Sequence, residues 1–227
     1  YIPQNQSFAA LPFSAKLGKK LRDHYEATLY SKSKASKRSF LNMSSSIVHL
    51  SGHGIITNQN VLTNHLVFSD SMLYLDELTH LRKAPDLIVL NTCNSAKGMI
   101  LIGEGVNSFA RTLSRLGVKT ILSNLWEVDD QASNHLLERF YVDLSNNHST
   151  ITSLRNAQLT TISEAKNSNL SAPYYWAGHR LIGDEIVFEN KNNSVDLGNL
   201  FKWIIGLSGL GLGIWYWKRR RNKFRQK

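Results

Sequence analysis

The sequence predicts an α/β fold, with a mostly parallel sheet and helices on both of its faces. Three short apolar runs, at residues 47–50, 87–90 and 118–122, have the length and the Gly, Pro or Asn boundaries of strands that are buried on both faces. Stretches with helical spacing of apolar residues lie between and after these runs. Strands and helices that alternate along a chain are typical of parallel α/β sheets.

The remaining elements follow from apolar periodicity and from capping residues. Helices are predicted over residues 16–30, 106–116, 136–144 and 150–165, with a short helix around residues 40–43 and a last strand at 176–182. Gly117 follows the second of these helices and suits the left-handed position after a helix C-terminus. Asp129 or Asp130 is placed to cap the start of the next helix.

The C-terminal part differs in composition from the rest. Residues 188–199 are polar and Asn-rich, which predicts a linker, and residues 200–217 are apolar except for Lys202. Eighteen residues span ~27 Å as a helix, close to the ~30 Å of a bilayer core. Trp203 at one end and Trp217 at the other resemble an interfacial aromatic belt. We therefore expect one membrane-spanning helix at residues 200–217, in contact with lipid.

The positive charge is concentrated at the ends of the chain. The formal net charge is +10, but residues 218–227 alone carry seven Lys and Arg, and residues 47–217 carry 12 Lys and Arg against 15 Asp and Glu. A slightly acidic core lacks a basic face for phosphates, which argues against a nucleic-acid partner. The positive-inside rule predicts a cytoplasmic tail at 218–227 and a periplasmic or extracytoplasmic main domain. Gly209 and Gly213 form a small-xxx-small pair through which the helix could dimerise.

The chain contains one cysteine, Cys93, which excludes an intramolecular disulfide and a zinc cluster built on several thiolates. The histidines outside the first strand region show no metal-ligand spacing with carboxylates or with Cys93; they are His65, His80, His135, His148 and His179. The sequence therefore predicts neither a metal site nor a cofactor.

Two residues with catalytic chemistry follow two of the predicted strands. His53 comes after the run at 47–50, and Cys93 comes after the run at 87–90. Since reactive groups collect past the carboxyl ends of strands in open α/β sheets, neighbouring strands would bring both side chains to one edge. Gly52 and Gly54 flank His53 and leave backbone amides available to a developing oxyanion. Each residue also has a simpler interpretation, Cys93 as an inert core thiol and His53 as a loop residue.

Six separated motifs resemble those of CHAT domains, the caspase-like peptidases associated with tetratricopeptide repeats. The motifs are His-Leu-Ser-Gly-His-Gly at 49–54, Leu-Ile-Val-Leu-Asn-Thr-Cys-Asn-Ser at 87–95, Gly-Glu-Gly-Val at 103–106, Leu-Trp-Glu-Val-Asp-Asp at 125–130, Leu-Arg-Asn-Ala-Gln at 154–158 and Tyr-Tyr-Trp-Ala-Gly at 174–178. The resemblance covers roughly residues 10–187 in order and spacing. It implies a caspase-like domain with His53 as general base and Cys93 as nucleophile.

The resemblance also implies roles for neighbouring residues. Gly54 would help to form the oxyanion hole. Trp126, Asp129 and Asp130 would lie on a loop that borders the active-site edge and could bind substrate, although both aspartates could instead cap a helix. Glu104 is either a substrate-facing acid or a charge favoured by a helix N-terminus.

One residue departs from the family pattern. CHAT domains commonly carry an acidic residue directly after the catalytic cysteine, whereas this chain has Asn94. Without that negative charge, we expect weak or no preference for Arg or Lys at the P1 position of a peptide substrate.

The sequence therefore predicts a membrane-anchored cysteine endopeptidase that acts on protein or peptide substrates. The alternatives are a catalytically silent scaffold that binds partners at the membrane, and a module regulated by upstream repeats. Because the chain begins with Tyr1 and not with Met, we expect its natural start, and probable tetratricopeptide repeats, to lie upstream.

Overall fold

All described helices and strands lie in one compact unit that ends at Phe188. The computed structural model describes residues 8, 10–25, 27–55, 64–92, 99–101, 105–107, 109–127, 129–165 and 169–189. The helices are α1 (Pro12–Tyr25), α2 (Lys37–Leu41), α3 (Phe109–Arg115), α4 (Asp130–Ser145), α5 (Thr150–Glu164) and α6 (Pro173–Trp176). The strands are β1 (Ile47–Gly52), β2 (Gly54–Ile55), β3 (His65–Val67), β4 (Met72–Tyr74), β5 (Leu87–Thr92), β6 (Met99–Leu101), β7 (Gly105–Asn107), β8 (Thr120–Asn124) and β9 (His179–Gly183).

The main sheet has four strands in the order β1-β5-β8-β9. The first three are parallel, and β9 pairs antiparallel with β8 at the edge. The three parallel strands therefore present their carboxyl ends at the same edge of the sheet, and β9 begins there.

Alternating side chains of the sheet enter two separate cores. Ile88 and Leu90 of β5 pack with α2, α3 and the β3–β4 region, whereas Leu87 and Val89 pack with α1, α4 and α5. All four residues are fully buried. This alternation is the period of a strand, and burial on both faces explains why β5 reads as a continuous apolar run.

Capping and left-handed residues fix the ends of the elements. The Asp129 carboxylate accepts a hydrogen bond from the amide of Ala132 at 2.9 Å and caps α4, one of the two alternatives predicted for this helix. Gly117 follows α3 with φ 95°, as its predicted position requires. Gly183 ends β9 with φ 107°, and a Cβ built on it would lie 2.0 Å from the Lys119 carbonyl oxygen. Only glycine fits that position without a backbone shift.

Two small sheets were not predicted from the sequence. The strands β2, β3 and β4 form an antiparallel sheet between β1 and β5 in the chain, and β6 pairs with β7. Several element boundaries also differ. The first helix was predicted over residues 16–30 but runs from Pro12 to Tyr25, and the last strand was predicted from residue 176 but begins at His179.

The predicted fold class is wrong as stated. The structure is α/β with a mixed sheet, and no helix in its described part is long and apolar enough to cross a bilayer. The longest of those helices, α4, has 16 residues and would span ~24 Å, and it carries charged side chains such as Glu138. The same finding contradicts the expected membrane location with an extracytoplasmic domain, because no described helix could span a bilayer. The segments 200–217 and 218–227, with Gly209 and Gly213, lie outside the described residues.

Candidate active site

The strands that precede the two candidate catalytic residues are hydrogen-bonded neighbours. β1 and β5 pair in parallel, and their last register pair is Gly52 with Thr92. His53 directly follows Gly52. Cys93 directly follows Thr92 in the sequence and lies outside the described residues. Neighbouring strands lie ~4.8 Å apart, so the sheet brings the two strand ends to the same place on its edge.

His53 lies in the single-residue gap between β1 and β2, and two contacts hold it there. Its carbonyl oxygen accepts a hydrogen bond from the amide of Val67 at 2.9 Å. Its imidazole stacks on the ring of Phe8, with centroids 4.9 Å apart and planes inclined by 22°. The residue is half-buried, so the imidazole keeps contact with solvent. The contact with Phe8 was not predicted, because nothing in the sequence pattern links two residues so far apart.

Gly54 directs its amide away from the small antiparallel sheet. It pairs with Leu66, next to the pair in which Val67 donates to His53. Hydrogen-bonded and non-hydrogen-bonded pairs alternate along an antiparallel ladder. The N–H of Gly54 is therefore not used by β3 and points out of this ladder, beside His53.

A line of polar side chains crosses the main sheet one layer below the edge. It consists of Ser51 on β1, Asn91 on β5, Asn124 on β8 and His179 on β9, which we call the polar row. Ser51 pairs with Asn91, and Asn124 pairs with His179, in the strand register. Asn91, Asn124 and His179 are 9%, 1% and 3% exposed, so most of the row is buried. The polar row follows the apolar side chains of the sheet that pack on α4, on the same face and nearer to the carboxyl ends of the parallel strands.

Asn91 is the centre of the polar row. Its Oδ1 accepts hydrogen bonds from Asn124 Nδ2 at 3.2 Å and from Ser133 Oγ of α4 at 2.7 Å, and its Nδ2 donates to Ser51 Oγ at 3.3 Å. One carboxamide therefore connects β1, β5, β8 and α4.

A histidine lies at each end of the polar row: His179 is its last member, and His49 adjoins Ser51. At one end, Ser133 Oγ lies 3.0 Å from His179 Nε2 and is hydrogen-bonded to it. At the other end, His49 lies 2.7 Å from Ser51 Oγ and 2.9 Å from the Tyr141 hydroxyl. Burial lowers the pKa of His49 to about 4 and that of His179 to about 4, and it raises the pKa of Tyr141. All three are therefore uncharged near neutral pH.

Comparison with known families identifies the domain. The sequence profile of the CHAT domain matches residues 4–184, which is most of the 227-residue chain. The chain belongs to the CHAT domain family. Membership of this family makes the domain caspase-like and related to peptidases. No curated protein matches the chain.

The two aspartates predicted near the site of this CHAT domain both make structural hydrogen bonds. Asp129 caps its own helix, α4. Asp130 accepts hydrogen bonds at the start of α1, from the amides of Phe13 at 2.9 Å and Ser14 at 3.3 Å and from the Ser14 hydroxyl at 2.7 Å. Asp129 therefore realises the capping alternative predicted for α4, whereas Asp130 binds the start of α1, and binding of substrate by either aspartate stays a prediction.

Trp126 lies on the loop that follows β8, at the same edge as His53. Its indole N–H donates to the carbonyl oxygen of Tyr174 at 2.9 Å, and the amide of Leu125 donates to the carbonyl oxygen of Gly178 at 2.9 Å. Tyr174 is 52% exposed and Leu125 is 36% exposed. The CHAT domain thus presents an apolar and aromatic surface where the parallel strands end.

The other predicted site residues, Cys93, Asn94 and Glu104, lie outside the described residues. Within the described part of the CHAT domain, no group of three or more His, Cys, Asp or Glu side chains is arranged to hold a metal ion.

Proposed function

We propose that this CHAT domain is a cysteine endopeptidase in which His53 is the general base and Cys93 is the nucleophile. The observation that carries the proposal is the pairing of Gly52 with Thr92 at the ends of neighbouring parallel strands. The candidate base directly follows one of these residues, and the single cysteine of the chain directly follows the other.

The proposed chemistry needs an imidazole close enough to the thiol to take its proton. A cysteine thiol with a pKa of ~8.5 is mostly protonated at neutral pH, and it reacts well only beside a base or a cation. The imidazole of His53 accepts the thiol proton, and the sulfur of Cys93 attacks the peptide carbonyl carbon. When the C–N bond breaks, the imidazolium returns its proton to the leaving amine, and water then hydrolyses the thioester.

The amide of Gly54 supports this mechanism as an oxyanion donor. It points out of the β2–β3 ladder beside His53, and glycine leaves it unobstructed by a side chain. A preorganised backbone N–H aimed at the developing charge lowers the barrier of acyl transfer. The stacking of Phe8 on His53 limits rotation of the imidazole and so favours one approach to the thiol.

The substrate in this proposal is a protein or peptide with an apolar or aromatic side chain near the scissile bond. Leu125, Trp126 and Tyr174 provide the matching surface at the sheet edge. With Asn94 in place of the acidic residue common in the family, a positional-scanning peptide library should show weak or no preference for Arg or Lys at P1. A sharp optimum at Arg would contradict this specificity.

The proposal is tested by substituting each member of the pair in the full 227-residue chain. Cys93→Ala and His53→Ala should each abolish peptide cleavage, and the double variant should be no worse, because residues that act as one unit lose activity non-additively. His80→Ala, at an exposed position, is the matched histidine control and should retain activity. Full activity in Cys93→Ala would end the peptidase interpretation.

A further inference from the structure

Two members of the polar row come two positions before the proposed catalytic residues in the sequence. Ser51 precedes His53 by two residues on β1, and Asn91 precedes Cys93 by two residues in the sequence. Side chains two residues apart on a strand share a face. The hydrogen bond from Asn91 to Ser51 therefore connects the two strand ends from which the proposed base and nucleophile emerge.

The row is also anchored outside these two strands. Asn91 Oδ1 accepts from Asn124 on β8 and from Ser133 on α4, and Ser133 Oγ is in turn hydrogen-bonded to His179 Nε2 on β9. A residue that only filled space at position 91 would make none of these bonds. Since buried polar groups that lose their partners move or admit water, the geometry of the edge depends on the carboxamide.

The side chains of the polar row are uncharged, so the row can affect the site through the positions of its neighbours and not through a charge. Its side chains are Ser, Asn, Asn and a neutral His, and the adjoining His49 and Tyr141 are uncharged as well. The charged residue nearest in sequence to Ser133 is Asp130, which is engaged at the start of α1. Any effect of the row on the reactivity of Cys93 must therefore act through the position of His53 relative to the thiol.

We propose that Asn91 is a positioning residue for the reaction, in that its carboxamide fixes the ends of β1 and β5 and thereby the separation of His53 and Cys93. This inference rests on the proposed function. Misplacement of reacting groups by ~1 Å can cost ~100-fold in rate, so loss of one connecting side chain is measurable.

The experiment measures the rate at which iodoacetamide alkylates Cys93 as a function of pH. Because the chain has a single cysteine, the reaction reports on that thiol alone, and it does not require a peptide substrate. The main variant is Asn91→Leu, which keeps the branched shape of the side chain and removes its hydrogen bonds. Ser133→Ala is a milder second variant that removes one donor to Asn91. Leu154→Ala, in the core around α5, controls for loss of stability.

In the wild type, His53 should lower the pKa of Cys93, and His53→Ala should abolish that effect. Asn91→Leu should reduce the alkylation rate at about pH 6.5 by about tenfold, and should change it by less than about twofold at about pH 9.5, where most of the thiol is ionised. Ser133→Ala should lose about threefold. Leu154→Ala should follow the wild-type profile.

Three results would overturn the inference, and the last of them would also overturn the proposed function. If Asn91→Leu and Ser133→Ala follow the wild-type profile while His53→Ala departs from it, the pair exists and Asn91 does not position it. The same conclusion follows if Leu154→Ala loses reactivity as Asn91→Leu does, since general destabilisation would then explain the loss. If His53→Ala follows the wild-type profile, the pair itself is absent, and the proposed function fails together with this inference.

Discussion

Replacing Asp130 by Ala should detach the N-terminal helix from the domain. The carboxylate accepts from the amides of Phe13 and Ser14 and from the Ser14 hydroxyl, all at the start of α1. The first turn of α1 contains no acidic residue of its own, so Asp130, from another helix, supplies the negative charge at this N-terminus. It therefore acts both as a cap and as a partner of the helix dipole.

The magnitude follows from these two contributions. Loss of a capping oxygen costs ~1 kcal/mol, and loss of a carboxylate at a helix N-terminus costs a further ~0.3–1 kcal/mol. Asp130→Ala should therefore lower the free energy of unfolding by ~2 kcal/mol, which corresponds to a fall in Tm of ~4–8 °C for a domain of this size. Asp130→Asn keeps an accepting oxygen and loses the charge, so it should lose about half as much.

Urea denaturation measures the change in stability, and hydrogen exchange resolves where it occurs. In Asp130→Ala the amides of α1 should exchange faster, and those of β5 should change only as far as global stability requires. Asp129→Ala is the matched control, because it removes a single capping bond from α4 and should cost ~1 kcal/mol without loosening α1. Equal losses in both variants, with unchanged exchange in α1, would refute this account of Asp130.

Two further predictions concern backbone conformation and pH. Gly183→Ala should cost ~3 kcal/mol or more in thermal or urea unfolding, because a Cβ there meets the Lys119 carbonyl oxygen at 2.0 Å. Gly117→Ala is also at positive φ, but its Cβ would meet only Ala84 Cβ at an ordinary 3.8 Å, so it should cost only ~1 kcal/mol. Similar losses in the two variants would contradict the clash. Burial lowers the pKa of His179 to about 4, below its value in the unfolded chain. Between these two pKa values the unfolded chain binds a proton that the folded chain does not. The free energy of unfolding should therefore fall as the pH drops from ~6.5 to ~4, by ~3 kcal/mol in full. His179→Gln should reduce the slope of this part of the profile of unfolding free energy against pH by about half, because burial also lowers the pKa of His49 to about 4, and an unchanged slope would show that other groups are responsible.

The long or strongly patterned elements could be predicted from the sequence. The fully buried strand β5 appears as a continuous apolar run, and α4 and α5 have clear helical spacing. Gly117 marks the end of α3, because few residues other than glycine tolerate its φ. By contrast, β2, β3 and β4 have two or three residues each, too few to establish a period of two.

The N-terminal helix shows how a pattern can mislead. Leu17, Leu21, Tyr25 and Leu29 recur every four residues, yet the helix ends at Tyr25. Its start was missed because the cap comes from Asp130, more than a hundred residues away, and not from a residue beside it. A tertiary contact, not local spacing, therefore marks its start.

The candidate site was predictable only in part. The placement of His53 and Cys93 after successive apolar runs was visible in the sequence, and so was the glycine on each side of His53. The polar row was not, because Asn91 and His179 become neighbours of Ser133 only through strand order and register. The membrane-anchored fold class rested on residues 200–217, and the described helices give it no support.

The attachment of α1 has a consequence for the order of folding. Its contacts with α4 join residues more than a hundred positions apart, through Leu17 in the shared core, the Lys20–Glu138 ion pair and Asp130. Closing so long a loop costs entropy that a 14-residue helix recovers only after its binding surface exists. We therefore expect the α1 segment to join a domain whose sheet and C-terminal helices are already assembled, so that Phe8 contacts His53 only at that last step.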